Sequence, residues 1–155
     1  MNYSEKPFIP KCTYCNGVAG CEKGVNLDTC PKTIIYAEAL QMQDFLELRP
    51  EDNPVALVDR LTDVNVFMAR SGMLLAQAKK LQDDATAMVF ALDANRVDKM
   101  TTTMANKFIS AQTSDVNSLV NMLDRQNRAF VHQGDNLRTQ ISFAKQEVEL
   151  QRRGY

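Results

Sequence analysis

The residues with the clearest chemical potential are four cysteines, which all fall between positions 12 and 30. Cys12 and Cys15 form a C-x2-C pair, and Cys21 and Cys30 follow after gaps of five and eight residues. This first spacing is typical of a metal knuckle, because the turn between the two cysteines brings both thiolates onto one ion. Asn16-Gly17 then supplies the residues that such a turn favours. The pattern predicts a zinc ion bound by all four cysteines.

Other chemistry remains open for the same thiolates. They could hold an iron–sulfur cluster, form two disulfides if the protein is secreted, or stay as unmodified thiols. A zinc ion with four cysteine ligands has no open position for water, so we expect a structural ion and not a catalytic one. Binding it would fold a segment that is poor in apolar residues.

Few other residues suggest catalysis. His132 is the only histidine, and it lies off the apolar seam of a predicted helix, where a solvated side chain is the ordinary outcome. The acidic pairs Glu51-Asp52 and Asp83-Asp84 fall in predicted connectors or helix starts, which favours solubilising and capping roles. Neither a glycine-rich phosphate loop nor an H-E-x-x-H motif occurs. We expect a protein that is not an enzyme and has no small-molecule substrate.

The distribution of proline and glycine predicts the fold class. No proline follows Pro54, and only Gly72, Gly134 and Gly154 lie beyond it. A β-domain of that length needs many turns rich in these residues, whereas long helices need none. We therefore expect an all-α protein: a loop-rich four-cysteine module at residues 1–32, and a bundle of long helices at residues 33–155.

Local signals predict where the helices begin and end. A first helix is expected from about Pro31 to Leu48, and a second is expected to begin at Pro54 with Asn53 as its cap. One apolar register follows Leu57, and a second covers Phe90 to Ala111, so a turn or phase break is expected within residues 82–95. Ser110 to Asp115 is the next break, with Thr113 or Ser114 capping the last helix.

The last helix carries a regular heptad pattern, in which apolar steps alternate between four and three residues. Such a pattern is typical of helices that pack side by side, within a bundle or between two chains. Asn127 and Gly134 interrupt the seam; a buried Asn can fix the register, and a Gly can allow close backbone approach. We predict a coiled-coil-like interface for self-association, formed by Val116, Val120, Leu123, Asn127, Phe130, Leu137, Ile141 and Val148.

Charge and hydropathy limit the partners. The net charge of −1 gives little general attraction to nucleic acid or to anionic membranes. No apolar run approaches the roughly 20 residues of a membrane span, and the first seven residues lack the apolar stretch of a secretory signal. We expect a cytoplasmic protein with no membrane partner. Nucleic acid is at most a secondary partner, and lysines and aromatic residues around the cysteines are where it would bind.

A short stretch of the last helix resembles a known class of proteins. Residues 123–138, and in particular Arg128, Phe130, Gln133, Leu137 and Arg138, are similar to the terminal helix of short helical phage proteins of the small terminase type. The resemblance covers about a tenth of the chain and does not include the cysteine module. It implies a ring-forming DNA-packaging adaptor that binds DNA and a larger motor protein.

The residues themselves favour a different function. They predict a non-enzymatic structural or interaction protein, a zinc-stapled helical module that self-associates or binds another helical protein through its C-terminal helix. The nucleic-acid-binding packaging adaptor is the alternative.

Overall fold

The computed structural model of the chain describes residues 30–51 and 53–154. These residues form four α-helices, and no strand occurs among them, so the predicted all-α class is confirmed. Of the predicted four-cysteine module, Cys12, Cys15 and Cys21 lie outside the described residues. The helices are α1 (Pro31–Glu47), α2 (Pro54–Val97), α3 (Thr102–Gln112) and α4 (Ser114–Arg152).

The first two helices begin where the local signals predict. Pro31 opens α1, where the missing N–H of proline costs no hydrogen bond. Pro54 opens α2 in the same way, and the side-chain Oδ1 of Asn53 accepts a 2.8 Å hydrogen bond from the Ala56 N–H. That bond satisfies one of the amide donors that the first turn of a helix leaves without a partner.

The end of α2 differs in part from the sequence pattern. Asp93 has non-helical angles (φ −113°, ψ 21°), which confirms the expected break within residues 82–95. The helix nevertheless resumes and ends at Val97, and α3 begins at Thr102. The register from Phe90 to Ala111 therefore spans two helices and not one. Thr101 explains the second start, because its side chain accepts a 3.4 Å hydrogen bond from the Met104 N–H as an N-cap.

A single residue, Thr113, joins α3 to α4, within the break that the sequence predicts at Ser110 to Asp115. Its N–H and its hydroxyl both donate to the Ile109 carbonyl at 3.0 Å, which closes the end of α3. Its own carbonyl accepts the Asn117 N–H at 3.0 Å, which starts α4. Asp115 lies in the first turn of α4, where a negative charge is favourable.

The helices contribute to two compact units, each with its own apolar core. Within the described residues, the first unit holds residues 30–36 and Ala76–Asn121. Gln82 of α2 donates to Asn117 of α4 at 2.6 Å, and the Arg96 guanidinium lies 4.8 Å from the Phe108 ring centroid. The main buried apolar residues of this unit are Ile35, Ala78, Leu81, Ala85, Val89, Val97, Ile109, Val116, Leu119 and Val120.

The second unit holds residues 37–75 and 122–154, and its core is aromatic at the centre. The rings of Phe45, Phe67 and Phe130 come from α1, α2 and α4, with centroids 4.5 to 6.2 Å apart. Such spacings are those of favourable aromatic pairs. The other buried apolar side chains here are Ala39, Met42, Leu57, Val64, Leu74, Leu123 and Leu137.

Among the described residues, no helix has both the length and the apolar composition needed to cross a membrane.

Candidate functional site

The one predicted metal ligand that the structure describes is Cys30, which directly precedes α1. It is buried, and its carbonyl accepts a 3.0 Å hydrogen bond from the Ile34 N–H in the first turn of the helix. Nearby in the same unit, the Lys32 ammonium pairs with the Asp115 carboxylate. Within residues 30–51 and 53–154, no three His, Cys, Asp or Glu side chains are grouped as metal ligands. The predicted site therefore depends on Cys12, Cys15 and Cys21.

The predicted seam of α4 is largely core within a single chain. Phe130 is fully buried and Leu137 is 2% exposed, although no second chain is present. Leu137 is the last buried residue of the helix, since every described residue after it is partly or fully exposed. The predicted interface residues divide accordingly: Val116, Val120, Leu123, Phe130 and Leu137 are buried, Asn127 and Ile141 are half-buried, and Val148 is exposed.

Asn127 does fix a register, but it does so within the chain. Its side-chain Nδ2 donates to the Met68 carbonyl at 3.1 Å and to the Ser71 hydroxyl at 2.9 Å, both on α2. A side-chain amide that bonds to a backbone carbonyl ties the two helices at one height and opposes slippage. Gly134 sits two turns later, where an added Cβ would lie 3.6 Å from Val64 Cγ1. That distance is an ordinary van der Waals contact, so α4 lies against α2 here without requiring a glycine.

Gln126 is a second tie that the heptad pattern did not identify. It is buried, and its Nε2 donates to the Ala39 carbonyl at 2.7 Å and to Gln43 Oε1 at 3.2 Å. These bonds join α4 to α1, whereas those of the adjacent Asn127 join α4 to α2. The Gln126 Oε1 atom is buried without a hydrogen-bond partner among the described residues. An amide buried at this cost serves to specify one packing of the three helices.

Arg60 of α2 is the third polar group in this core, and its side chain binds the carbonyls at the C-terminal end of α1. Its Nη2 donates to the carbonyls of Phe45 and Leu48, the latter at 2.9 Å, and its guanidinium lies 3.5 Å from the centroid of the Phe45 ring. Cations are favourable at helix C-termini, where the last carbonyls lack partners. Burial lowers the pKa of Arg60 from its ordinary value, and the nearby Asp63 carboxylate opposes that shift.

The contacts between α2 and α4 define the register of these two helices in the second unit. Successive contacts pair residues 68–71 of α2 with Asn127 and residues 61–64 with Gly134, so the two helices run antiparallel. In this antiparallel pair, each step back along α2 corresponds to one step forward along α4. The start of α2 at Pro54 therefore lies opposite roughly residue 143 of α4. Helix α1 ends at Glu47. Arg60, which binds the carbonyls at this end of α1, also contacts the Gln133 side chain at 3.5 Å, so α1 ends close to the height of Gln133 on α4.

Residues 138–152 of α4 therefore lie beyond the end of α1, and from about residue 144 onward they also lie beyond the start of α2. We refer to these residues as the α4 end. It is about 22 Å long at 1.5 Å per residue. Phe143 is 62% exposed there, Val148 and Leu150 are also exposed, and Ile141 is half-buried. The exposed apolar side chains of the α4 end are available for contact with another helix.

The remaining polar candidates lie apart from these features. His132 is exposed on α4, and Asp83 is exposed on α2. Asp84 forms an exposed ion pair with Lys80 at 3.0 Å, one turn away on the same helix. Of the pair Glu51-Asp52, Glu51 accepts a hydrogen bond from the Asn53 side chain beside the start of α2, at 3.2 Å. The described pairs act as local surface contacts.

Comparison with known proteins adds no relative: no family model, curated protein or solved structure matches the chain.

Proposed function

We propose that the chain is a non-enzymatic interaction protein whose α4 end binds a helix of a partner protein or of a second copy. The observation that carries this proposal is the exposure of Phe143 and Leu150, which are seven residues apart and so lie on one face of a helix that continues beyond α1 and α2. Leaving a large apolar side chain in water is unfavourable by about 1.5–3 kcal/mol. A partner helix along the α4 end would remove that cost.

Polar residues border the Phe143 and Leu150 positions and support a helical partner. Thr139 and Gln146 lie on one flank, and Gln140 and Glu147 lie on the other, at the three- and four-residue spacings of one helix face. Arg138, Lys145 and Arg152 form a row on the opposite side of the helix, beside Ile141 and Val148. A narrow apolar line with polar flanks is the arrangement with which one helix packs against another.

The second part of the proposal concerns the four cysteines. Zinc bound by Cys12, Cys15, Cys21 and Cys30 would act as a staple and not as a catalyst, because four thiolates leave no position for a substrate or water. Cys30 directly precedes α1, where the positive end of the helix dipole favours a negatively charged ligand. We place the protein in the cytoplasm, where reduced thiols are available for metal binding.

Site-specific photo-crosslinking in the host cell tests the interaction. A photoreactive phenylalanine analogue in place of Phe143 is expected to give a discrete adduct, since that ring is exposed on the α4 end. The matched control carries the same analogue at Val131, which is also exposed on α4 but lies before Leu137. We expect no adduct from position 131. An equal yield from both positions, or none from position 143, contradicts the proposed function.

Light scattering then separates a second copy from a different partner. Self-association through the α4 end requires a mass above 17.4 kDa that falls when Phe143→Asp and Leu150→Asp are introduced together. Both side chains are exposed, so the pair of substitutions leaves the core intact. If the photo-adduct does not have the mass of two chains, and the two substitutions leave the mass of the purified protein unchanged, the α4 end binds a different protein. A large defined ring favours the DNA-packaging adaptor.

A further inference from the structure

Helix α2 carries a second surface that no other described residue covers, on the face that points away from the core of the second unit. We call it the α2 stripe, and it consists of Val55, Val58, Thr62, Val66, Ala69 and Met73. All six residues are exposed, and Val66 is 63% exposed. They recur at steps of three and four residues, which places them in one line along the helix. The buried residues Leu57, Val64, Ser71 and Leu74 lie on the opposite side.

The stripe is long and contains no charged residue. From Val55 to Met73 it runs about 27 Å at 1.5 Å per residue. Exposed apolar residues usually occur singly on a protein surface, whereas a continuous line of them marks a contact surface. Contacts within the unit place α1 and α4 against other sides of α2, through Arg70 and Phe67 for α1 and through Met68 and Ser71 for α4.

The charges beside the stripe are divided by sign along the helix. Asp59 and Asp63 accompany its first half, and Arg70 accompanies its second half. Asp59 and Arg70 are 11 residues apart, about three helical turns, so they lie on the same flank. The acidic residues of the first half and the basic residue of the second make this part of α2 complementary to itself when reversed.

We propose that the α2 stripe binds the α2 stripe of a second copy of the chain, with the two helices antiparallel. A two-fold axis at residue 64 puts Val55 against Met73 and Thr62 against Val66 of the second copy. The same register places Asp59 of each copy within one residue of the height of Arg70 of the other. A parallel copy would instead bring the two acidic halves to the same height, where like charges repel.

Arg70 already binds a carboxylate of α1 and retains donors for a second one. Its Nε and Nη2 donate to the Glu38 carboxylate at 2.7 and 2.6 Å, which holds the guanidinium at the edge of the stripe. A guanidinium has five N–H donors, so those on Nη1 can bind a second carboxylate. A second copy is the occupant that supplies an apolar line of equal length together with an acid at the matching height.

Sedimentation equilibrium on the full chain, from about 1 to 300 µM, tests the proposed dimer. We use the variant with Phe143→Asp and Leu150→Asp, so that association through the α4 end does not contribute. It is expected to reach twice the 17.4 kDa chain mass. Adding Val66→Lys is expected to raise the dimer dissociation constant at least tenfold. The substitution is compatible with folding, because Val66 is exposed and lysine favours helix more than valine does.

The matched control is Leu92→Lys, which changes an equally exposed apolar residue of α2, 65% exposed, outside the stripe. We expect it to change the dissociation constant less than twofold. A mass of one chain across the whole range overturns the proposal, and so does equal weakening by the two lysine substitutions. Failure of the α4 end to crosslink does not affect this result, because the two surfaces share no residue.

A charge exchange tests the antiparallel orientation. Asp59→Arg alone places two arginines opposite each other at each end and is expected to weaken the dimer at least fivefold. Adding Arg70→Asp restores opposite charges across the two-fold axis and is expected to recover most of the affinity. In a parallel dimer, residue 59 lies beside residue 59 of the second copy, and residue 70 beside residue 70. The second substitution would then not restore opposite charges, and the affinity would not recover. No recovery therefore overturns the antiparallel arrangement.

Discussion

Replacing Phe130 with alanine is expected to lower the free energy of unfolding by about 3–5 kcal/mol. The Phe130 ring is fully buried, and its centroid lies 5.8 Å from that of Phe67 and 6.2 Å from that of Phe45. Removing it loses the burial of the ring, leaves a cavity where α1, α2 and α4 meet, and removes two aromatic contacts. Urea unfolding followed by circular dichroism measures the change.

The matched control for that substitution is Phe143→Ala, on the same helix. Phe143 is 62% exposed, so we expect a change within about 0.5 kcal/mol. The pair of variants distinguishes a seam that is core within one chain from a seam that forms only between chains. If Phe130→Ala is as mild as Phe143→Ala in a monomeric sample, the assignment of Phe130 to the chain's own core is wrong.

Replacing Cys15 with serine is expected to reduce bound zinc from one ion per chain to almost none. A structural site with four thiolates loses its tetrahedral ligand set when one sulfur is removed, and the folding energy supplied by the metal is lost with it. Metal analysis by mass spectrometry, on protein purified without added zinc, measures the stoichiometry. The control is Thr13→Ala, which lies within the C-x2-C pair but supplies no sulfur.

The same samples distinguish the other chemistry that four cysteines allow. A brown protein that contains iron and sulfide would replace zinc with an iron–sulfur cluster. A chain without metal and without reactive thiols would contain disulfides. A chain without metal but with four reactive thiols would have no metal site. A full equivalent of zinc in the Cys15→Ser variant would also contradict the proposed ligand set.

The helix starts could be predicted from the sequence because their signals are local. Pro31, Asn53 and Pro54 act within one helical turn of themselves, so their effect does not depend on the rest of the fold. The start of α3 has a comparable signal in Thr101, an N-cap residue. The apolar register from Phe90 to Ala111 continued across it and concealed the break. In this region the periodicity of the core is shared by two helices.

The partner of the α4 seam could not be predicted in the same way. A heptad pattern shows that a helix face is covered, but it is identical for neighbours within one chain and in another. Asn127 was identified as a register-setting residue, whereas Ser71 and the Met68 carbonyl depend on the tertiary fold. Gln126 and Arg60 were missed because residues of their types are usually exposed, and only their partners on α1 explain their burial.

Amide hydrogen exchange along α4, measured on the purified chain at about 1 µM, tests most directly whether the α4 end is available to a partner. We expect slow exchange from Val116 to Leu137, where the helix faces a core, and exchange at least about a hundredfold faster from Phe143 to Arg152. Equal protection along the whole helix in the monomeric chain would mean that its last turns are already covered, and would contradict the proposed interaction site.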